Sequence, residues 1–206
     1  MNPFDQLADL QLDVLKEVGN IGAGNATTAL SKLLNKPVDM RVPKVRIIPF
    51  SELTESLGGE EQVVIAVFLR VVGDAPGNLF FILSLKSARK LLSNLFDTDQ
   101  ENEEFNEMEL SALTEIGNIL AGSYLSSLAD FTSLKLSPTV PSLAIDMAGA
   151  IMSYGVLQFG EMGDYALLID TTFVHHDGVN VEGHFFLIPD PPSFQRIFSA
   201  LGVPFT

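Results

Sequence analysis

The sequence predicts an α+β fold: an internally duplicated, pseudo-two-fold domain with a continuous, mostly antiparallel sheet and two long motif helices packed side by side. Three observations predict it. The stretch Leu12–Gly24, LDVLKEVGNIGAG, returns 98 residues later as Leu110–Gly122, LSALTEIGNILAG, with eight of thirteen positions identical. Average residue usage would give about one match in such a window. Near the end of each half, Ser87–Leu95 and Ser193–Leu201 share an apolar face, pairing Leu91 with Ile197, Leu92 with Phe198 and Leu95 with Leu201. Between motif and closing helix, both halves carry β-branched and aromatic runs bounded by Gly, Pro and Asp, the pattern of strands joined by turns. The repeats span residues 4–96 and 107–202 of one domain, 1–206, because neither half completes a sheet alone.

Taken in order, residues 4–35 read as a long helix ending at Asn35-Lys36-Pro37. Val38–Ile48 alternates β-branched and charged residues, a strand interrupted by Pro43. Ser51–Leu57 is a short helix with Ser51 as N-cap. Glu61–Val72 and Asn78–Leu85 are strands of a hairpin around Gly73-Asp74-Ala75-Pro76-Gly77. Ser87–Phe96 is amphipathic and helical, and the acidic Asp97–Glu104 links the halves. Residues 107–129 form the copied helix and Leu134–Pro138 a strand. A small-residue segment, Ser142–Ala150, follows, then two or three strands through Ile151–Phe159, Tyr165–Val174 and Val179–Ile188. The offset drifts from 98 at the motif to 106 at the closing helices, which locates insertions near Asp146–Gly163 and His175–Gly183.

Composition narrows the function classes. The chain has 26 acidic against 12 basic residues, a formal charge of −14, so nucleic acid is not the expected partner. It has no cysteine, which excludes disulfides and thiolate metal sites. Its three histidines, His175, His176 and His184, occupy a hairpin region, and a strand would point the adjacent pair to opposite faces; no metal site is expected. No apolar run reaches the roughly 20 residues of a membrane span, and no basic-then-apolar signal opens the chain, so the protein reads as cytoplasmic.

The duplicated segment places its polar residues on one strip. At about 100° per residue, with Asp13 at zero, Glu17 lies near 40° and Asn20 near −20°. Ser111, Glu115 and Asn118 take the same angles in the copy. Val14, Val18 and Ile21 lie beside the strip and Leu15 further round, the face that would seek a core. Gly24 and Gly122, at about 20°, leave room for something to approach. Gly19 and Gly117 fall near 240°, where they would permit close helix packing. Glutamate is an ordinary solvated helix residue. Asparagine is not, because its amide competes with the backbone; a Gly-Asn pair in mid-helix twice over marks a site. No Ser-His or Cys-His dyad is apparent, and Gly22-Ala23-Gly24 is too short for a phosphate-cradling loop. An asparagine amide can hold a water by donating and accepting at once. Such positioning suffices to hydrolyse a phosphate already activated elsewhere.

Both copies fit one pattern: Asp or Ser, three residues, Glu, two residues, Asn, twenty-two residues, Pro. Its members are Asp13, Glu17, Asn20 and Pro43, then Ser111, Glu115, Asn118 and Pro141. This pattern resembles that of the CheC/CheX/FliY phosphatases of bacterial and archaeal chemotaxis, and the resemblance covers essentially the whole chain. It implies a phosphatase acting on the aspartyl phosphate of the response regulator CheY. The metal, Mg2+, would belong to CheY, and this chain would need no cofactor of its own. Asn20 and Asn118 would orient the in-line water, and Glu17 and Glu115 would engage the regulator, at two equivalent sites. Asp13, Ser111, Pro43 and Pro141 would shape the site, the prolines by fixing where a strand starts. The resemblance also implies a second partner, the receptor deamidase CheD, bound through a small-residue helix that mimics its receptor target; Leu143–Ala150 matches that description, with Asp146 as the acidic residue. A surface Asp capping a short helix is the bland alternative for Asp146. For the whole chain, the alternatives are a non-catalytic adaptor or decoy that sequesters CheD, or a flagellar-switch-like CheY-binding module.

Overall fold

The computed structural model describes residues 9–96, 104–159, 165–174 and 180–202. Its elements are α1 (Asp9–Leu34), β1 (Asp39–Pro49), a 3-10 turn (Phe50–Glu52), α2 (Leu53–Ser56), β2 (Val63–Gly73), β3 (Gly77–Ser84) and α3 (Leu85–Phe96). There follow α4 (Glu107–Thr132), β4 (Leu136–Pro138), β5 (Ser142–Met147), α5 (Ala148–Phe159), β6 (Tyr165–Val174), β7 (Val181–Pro189) and α6 (Pro191–Ala200).

The strands form one seven-stranded sheet in the order β1-β6-β7-β3-β2-β4, with β5 also on β2. Every pairing is antiparallel. The first strand of the chain thus pairs with β6, while β4 and β5 pair with β2, so the outer strands cross between halves. Central strands read as nearly unbroken apolar runs, Val64–Leu69 and Leu79–Leu83, because both faces are covered. On one face lie Ile65, Val67, Leu79, Phe81, Ile169 and Phe185, packed with the apolar sides of α1, α3, α4 and α6. On the other face Val64, Ala66, Phe80, Ile82, Leu168 and Phe186 pack with Leu53 of α2 and with Ala148, Ile151 and Met152 of α5. Four helices therefore cover one side and two short ones part of the other.

Helix ends follow local chemistry. Asn106 caps α4: its side chain accepts from Glu109 N at 2.9 Å, and the Glu109 carboxylate accepts from Asn106 N at 2.8 Å, a reciprocal capping box. Arg89 of α3 donates to Glu109 at 2.8 Å and lies 3.6 Å over the Phe105 ring, fastening α3 to this start. Ser133 ends α4 in the left-handed conformation.

Several expectations need correction. Ser51 is not an N-cap: it sits inside the 3-10 turn, Glu52 is the N-cap of α2, and neither start has a side-chain cap bond. Ile151–Phe159 is helical, not a strand. Ala148, Ile151 and Met152, at i, i+3 and i+4, are all buried against the sheet, and short apolar runs do not distinguish the two periods. The small-residue segment is split: Ser142–Met147 is a strand, with Leu143, Ile145 and Met147 opposite Val67, Ile65 and Val63, and the helix starts only at Ala148. Pro43 lies within β1, not at its start. The register shifts between Arg41 and Lys44, a bulge that accommodates the missing N–H. Pro141 does stand where expected, immediately before β5. His175 and His176, and residues 97–103 of the linker, lie outside the described residues.

Candidate functional site

Helices α1 and α4 carry the two motif copies and pack against each other. They come close at Gly22, where a Cβ would lie within 2.6 Å of the Tyr124 ring and 3.1 Å of its Cα. Sequence reasoning assigned the helix contact to Gly19 and Gly117, but those two face the sheet. A Cβ on Gly19 would lie 3.4 Å from Val42 of β1, and one on Gly117 only 2.6 Å from Val67 of β2. The motif glycines seat each helix on its own strand, and the chain brings α1 down beside the Pro43 bulge. Tyr124 also anchors α4 below: its hydroxyl and that of Thr171 are 3.2 Å apart, and burial pushes its pKa up to about 12.

With those contacts beneath, the polar strip faces solvent. Asp13, Glu17, Asn20 and Gly24 are exposed on α1; on α4, Ser111 and Glu115 are exposed and Asn118 is half-buried. A Cβ on Gly24 or Gly122 would meet nothing within 4 Å, so the space beside each Glu/Asn pair is open. Asn118 Nδ2 donates to Glu115 Oε2 over a long 3.5 Å. Asn20 and Glu17 have no side-chain partner among the described residues. An unpartnered amide presents two N–H donors and a carbonyl acceptor outward. Ile21, expected at the core, is 45% exposed beside Asn20, while Leu15 and Val18 are buried as expected. The reason is its angle: Ile21 falls on the rim of the strip, and α4 reaches α1 one residue further, at Gly22.

Pro43 and Pro141 occupy matching interruptions. Arg41 and Lys44 oppose Thr172 and Asp170, and Pro138 and Ser142 oppose Val71 and Phe68. Each stretch carries one residue more than its partner. In β1 the interruption turns Val42 toward Gly19 and leaves Pro43 exposed.

Asp146 stands apart from both strips. It is exposed on β5 opposite Val64, and its carboxylate accepts from Met147 N at 2.7 Å. It is thus two residues ahead of α5, not its cap. An open cleft of ≈ 540 Å³ lies between α2 and α5, lined by Phe50, Thr54, Glu60 and Met152 among others; no motif residue reaches it. A polar cluster missed by sequence reasoning lies on β1, β6 and β7. Arg46 Nη2 donates to Asp170 Oδ2 at 3.1 Å, and His184 Nδ1 lies 3.0 Å from Asp170 Oδ1. Only strand pairing brings these three together, so sequence spacing carried no signal for them. Among the described residues, no three His, Asp or Glu side chains converge to hold a metal ion.

The model of the family described as CheC-like matches residues 10–47 and 108–145, each segment containing one complete motif from Asp or Ser to Pro. The chain is 41% identical to the CheY-P phosphatase CheC of Bacillus subtilis (strain 168), over 98% of this chain and 99% of that protein. Its fold is similar to that of Thermotoga maritima FliY, with a TM-score of 0.74 at 19% identity, covering 96% of this chain and 98% of that one. It is also similar to the FliM middle domain of H. pylori, with a TM-score of 0.65 at 15% identity, covering 94% and 99% respectively. With both motifs in register and the relative matched from end to end, the chain belongs to the CheC-like family.

Proposed function

We propose that this protein is a phosphatase that hydrolyses the aspartyl phosphate of CheY at its two Glu/Asn strips. The observation that carries the reading is the exposed Asn20 amide, without a side-chain partner among the described residues, beside Glu17 and the open space at Gly24. Asn20, and Asn118 in the second copy, accept from and donate to a water aligned opposite the scissile P–O bond. The water oxygen attacks phosphorus, the bond to the aspartyl oxygen breaks, and the products are the free carboxylate and inorganic phosphate. Orientation of the nucleophile is the contribution of this chain. The Mg2+ that neutralises the phosphoryl oxygens belongs to CheY, and no cofactor of this protein takes part. Glu17 and Glu115 pair with a cation of the regulator, holding its active site over the strip. Asp13 and Ser111 border the strip, and Pro43 and Pro141 shape the strand beneath it.

The same reading assigns the protein to the cytoplasm and makes its single domain the product of a duplication. Support for the duplication is the succession helix, interrupted strand, short helix, hairpin, closing helix, which occurs twice. The family model also matches at two places 98 residues apart. CheD is the second partner, docking at the exposed Asp146 and the helix that follows it.

Decay of phosphorylated CheY tests the reading. Catalytic amounts of the protein accelerate it, and the Asn20→Ala/Asn118→Ala double variant loses that acceleration while keeping its fold and its binding of CheY. Unchanged decay with the intact protein, despite binding, selects the adaptor reading favoured by the likeness to the FliM fold. Asp146→Lys abolishes CheD binding and leaves basal turnover intact; a variant that still binds CheD removes Asp146 from that interface.

A further inference from the structure

We propose that Lys16 is a substrate-steering residue of the first strip, giving that site a charge-assisted step that the second lacks. The inference rests on the phosphatase reading above. Lys16 lies at about −60° on the wheel that puts Asn20 near −20°, so it borders the strip on the flank away from Ile21. It is exposed, one turn before Asn20, and makes no ion pair among the described residues, not even with Asp13 one turn earlier. A four-carbon stem with a free ammonium at that place reaches whatever seats on Asn20.

The second copy has no such group. Thr114 replaces Lys16, and its hydroxyl donates to Leu110 O at 2.8 Å, so it is turned back onto its own helix. The first strip is thus bordered by an exposed cation and its copy by a hydroxyl turned inward, in a chain whose net charge is −14. The reacting group is a phosphoryl dianion. An acidic protein repels it at long range, and a cation at the rim offsets that repulsion where the docking is decided. Rim charges act mainly on association rate and on its dependence on salt.

The test uses intact chains with one strip disabled. Asn118→Ala leaves the first site alone, and Asn20→Ala the second. Phosphorylated CheY is the probe, with turnover measured between about 0.05 and 0.3 M salt, a range over which screening of exposed charges grows substantially. In the first-site protein, Lys16→Gln lowers kcat/KM about fivefold or more at low salt, through KM, and flattens the salt dependence; Lys16→Arg restores both. In the second-site protein, Lys16→Gln changes nothing. Equal losses in both proteins, or none in the first, overturn the proposal while leaving the phosphatase reading standing. A first-site protein with no turnover beside an active second-site protein overturns the steering proposal alone, and no turnover in either protein overturns both together.

Discussion

Glycine to alanine at the same place in the two motif copies has opposite effects on stability. In α1, a Cβ on Gly19 would sit 3.4 Å from Val42 Cγ1 and 3.8 Å from Ile169 Cγ2, which are ordinary contacts. Replacing a mid-helix glycine there gains about 0.8–1.0 kcal/mol of helix propensity with nothing to displace. Gly19→Ala therefore raises the melting temperature by about 2–4 °C for a chain of this size. In α4, a Cβ on Gly117 would lie 2.6, 2.7 and 3.0 Å from three carbons of the Val67 side chain. Val67 is 3% exposed on a central strand, and its branched side chain has little rotamer freedom. Helix or strand must shift, at about 1–3 kcal/mol for overpacking of this kind. That exceeds the propensity gain, so Gly117→Ala melts lower, by about 1 kcal/mol or several degrees. The shift falls on the turn that carries Glu115 and Asn118, so it also reaches function: with Asn20→Ala present, Gly117→Ala reduces turnover of phosphorylated CheY. Gly19→Ala with Asn118→Ala retains it. Thermal and urea denaturation of the two single variants decide the matter. Melting shifts of the same sign would refute the argument that the two glycines answer to different neighbours.

Two further predictions concern the scaffold. Asn106→Ala removes the acceptor for Glu109 N and lowers stability by about 1 kcal/mol, read as a urea midpoint shift with unchanged slope; no shift would mean that Arg89 and Glu109 hold the start of α4 unaided. For Asp170, burial alone would raise the carboxyl pKa, but the His184 hydrogen bond and the Arg46 charge outweigh it and hold the group below its ordinary value. A depressed pKa in the folded state contributes stability above the unfolded value, near 3.9, and loses it as pH falls through the folded one. Asp170→Asn is therefore less stable than wild type at neutral pH, with the gap closing below about pH 4. A gap that stayed constant into acid would exclude that carboxylate as its source.

The elements themselves were largely legible. Periodicity gave both long helices and the β2–β3 hairpin, because α1 and α4 alternate buried and exposed faces at the helical period and Gly73 turns between two apolar runs. The failures cluster where period is ambiguous. Ile151–Phe159 is apolar nearly all round, so a strand and a buried helix look alike. Leu143–Met147 contains small residues that suit a helix, yet alternation with Val63, Ile65 and Val67 makes it a strand. Ser51 has the chemistry of a cap but sits inside a 3-10 turn.

The sequence by itself determined the repeated motif, the grouping of Asp13, Glu17 and Asn20 and their copies on one strip each, and the strand interruption at Pro43. All of these depend on local spacing along a helix or strand, which the chain carries within about twenty residues. Only the tertiary structure decided what each strip looks out on. Gly19 and Gly117 are identical in sequence, yet one meets Val42 at 3.4 Å and the other Val67 at 2.6 Å. Ile21 stays exposed because α4 closes on Gly22, and Asp170, His184 and Arg46 meet only because β1 crosses to pair with β6. The physical reason is common to all three: burial and approach are set by residues distant along the chain, which no local period encodes.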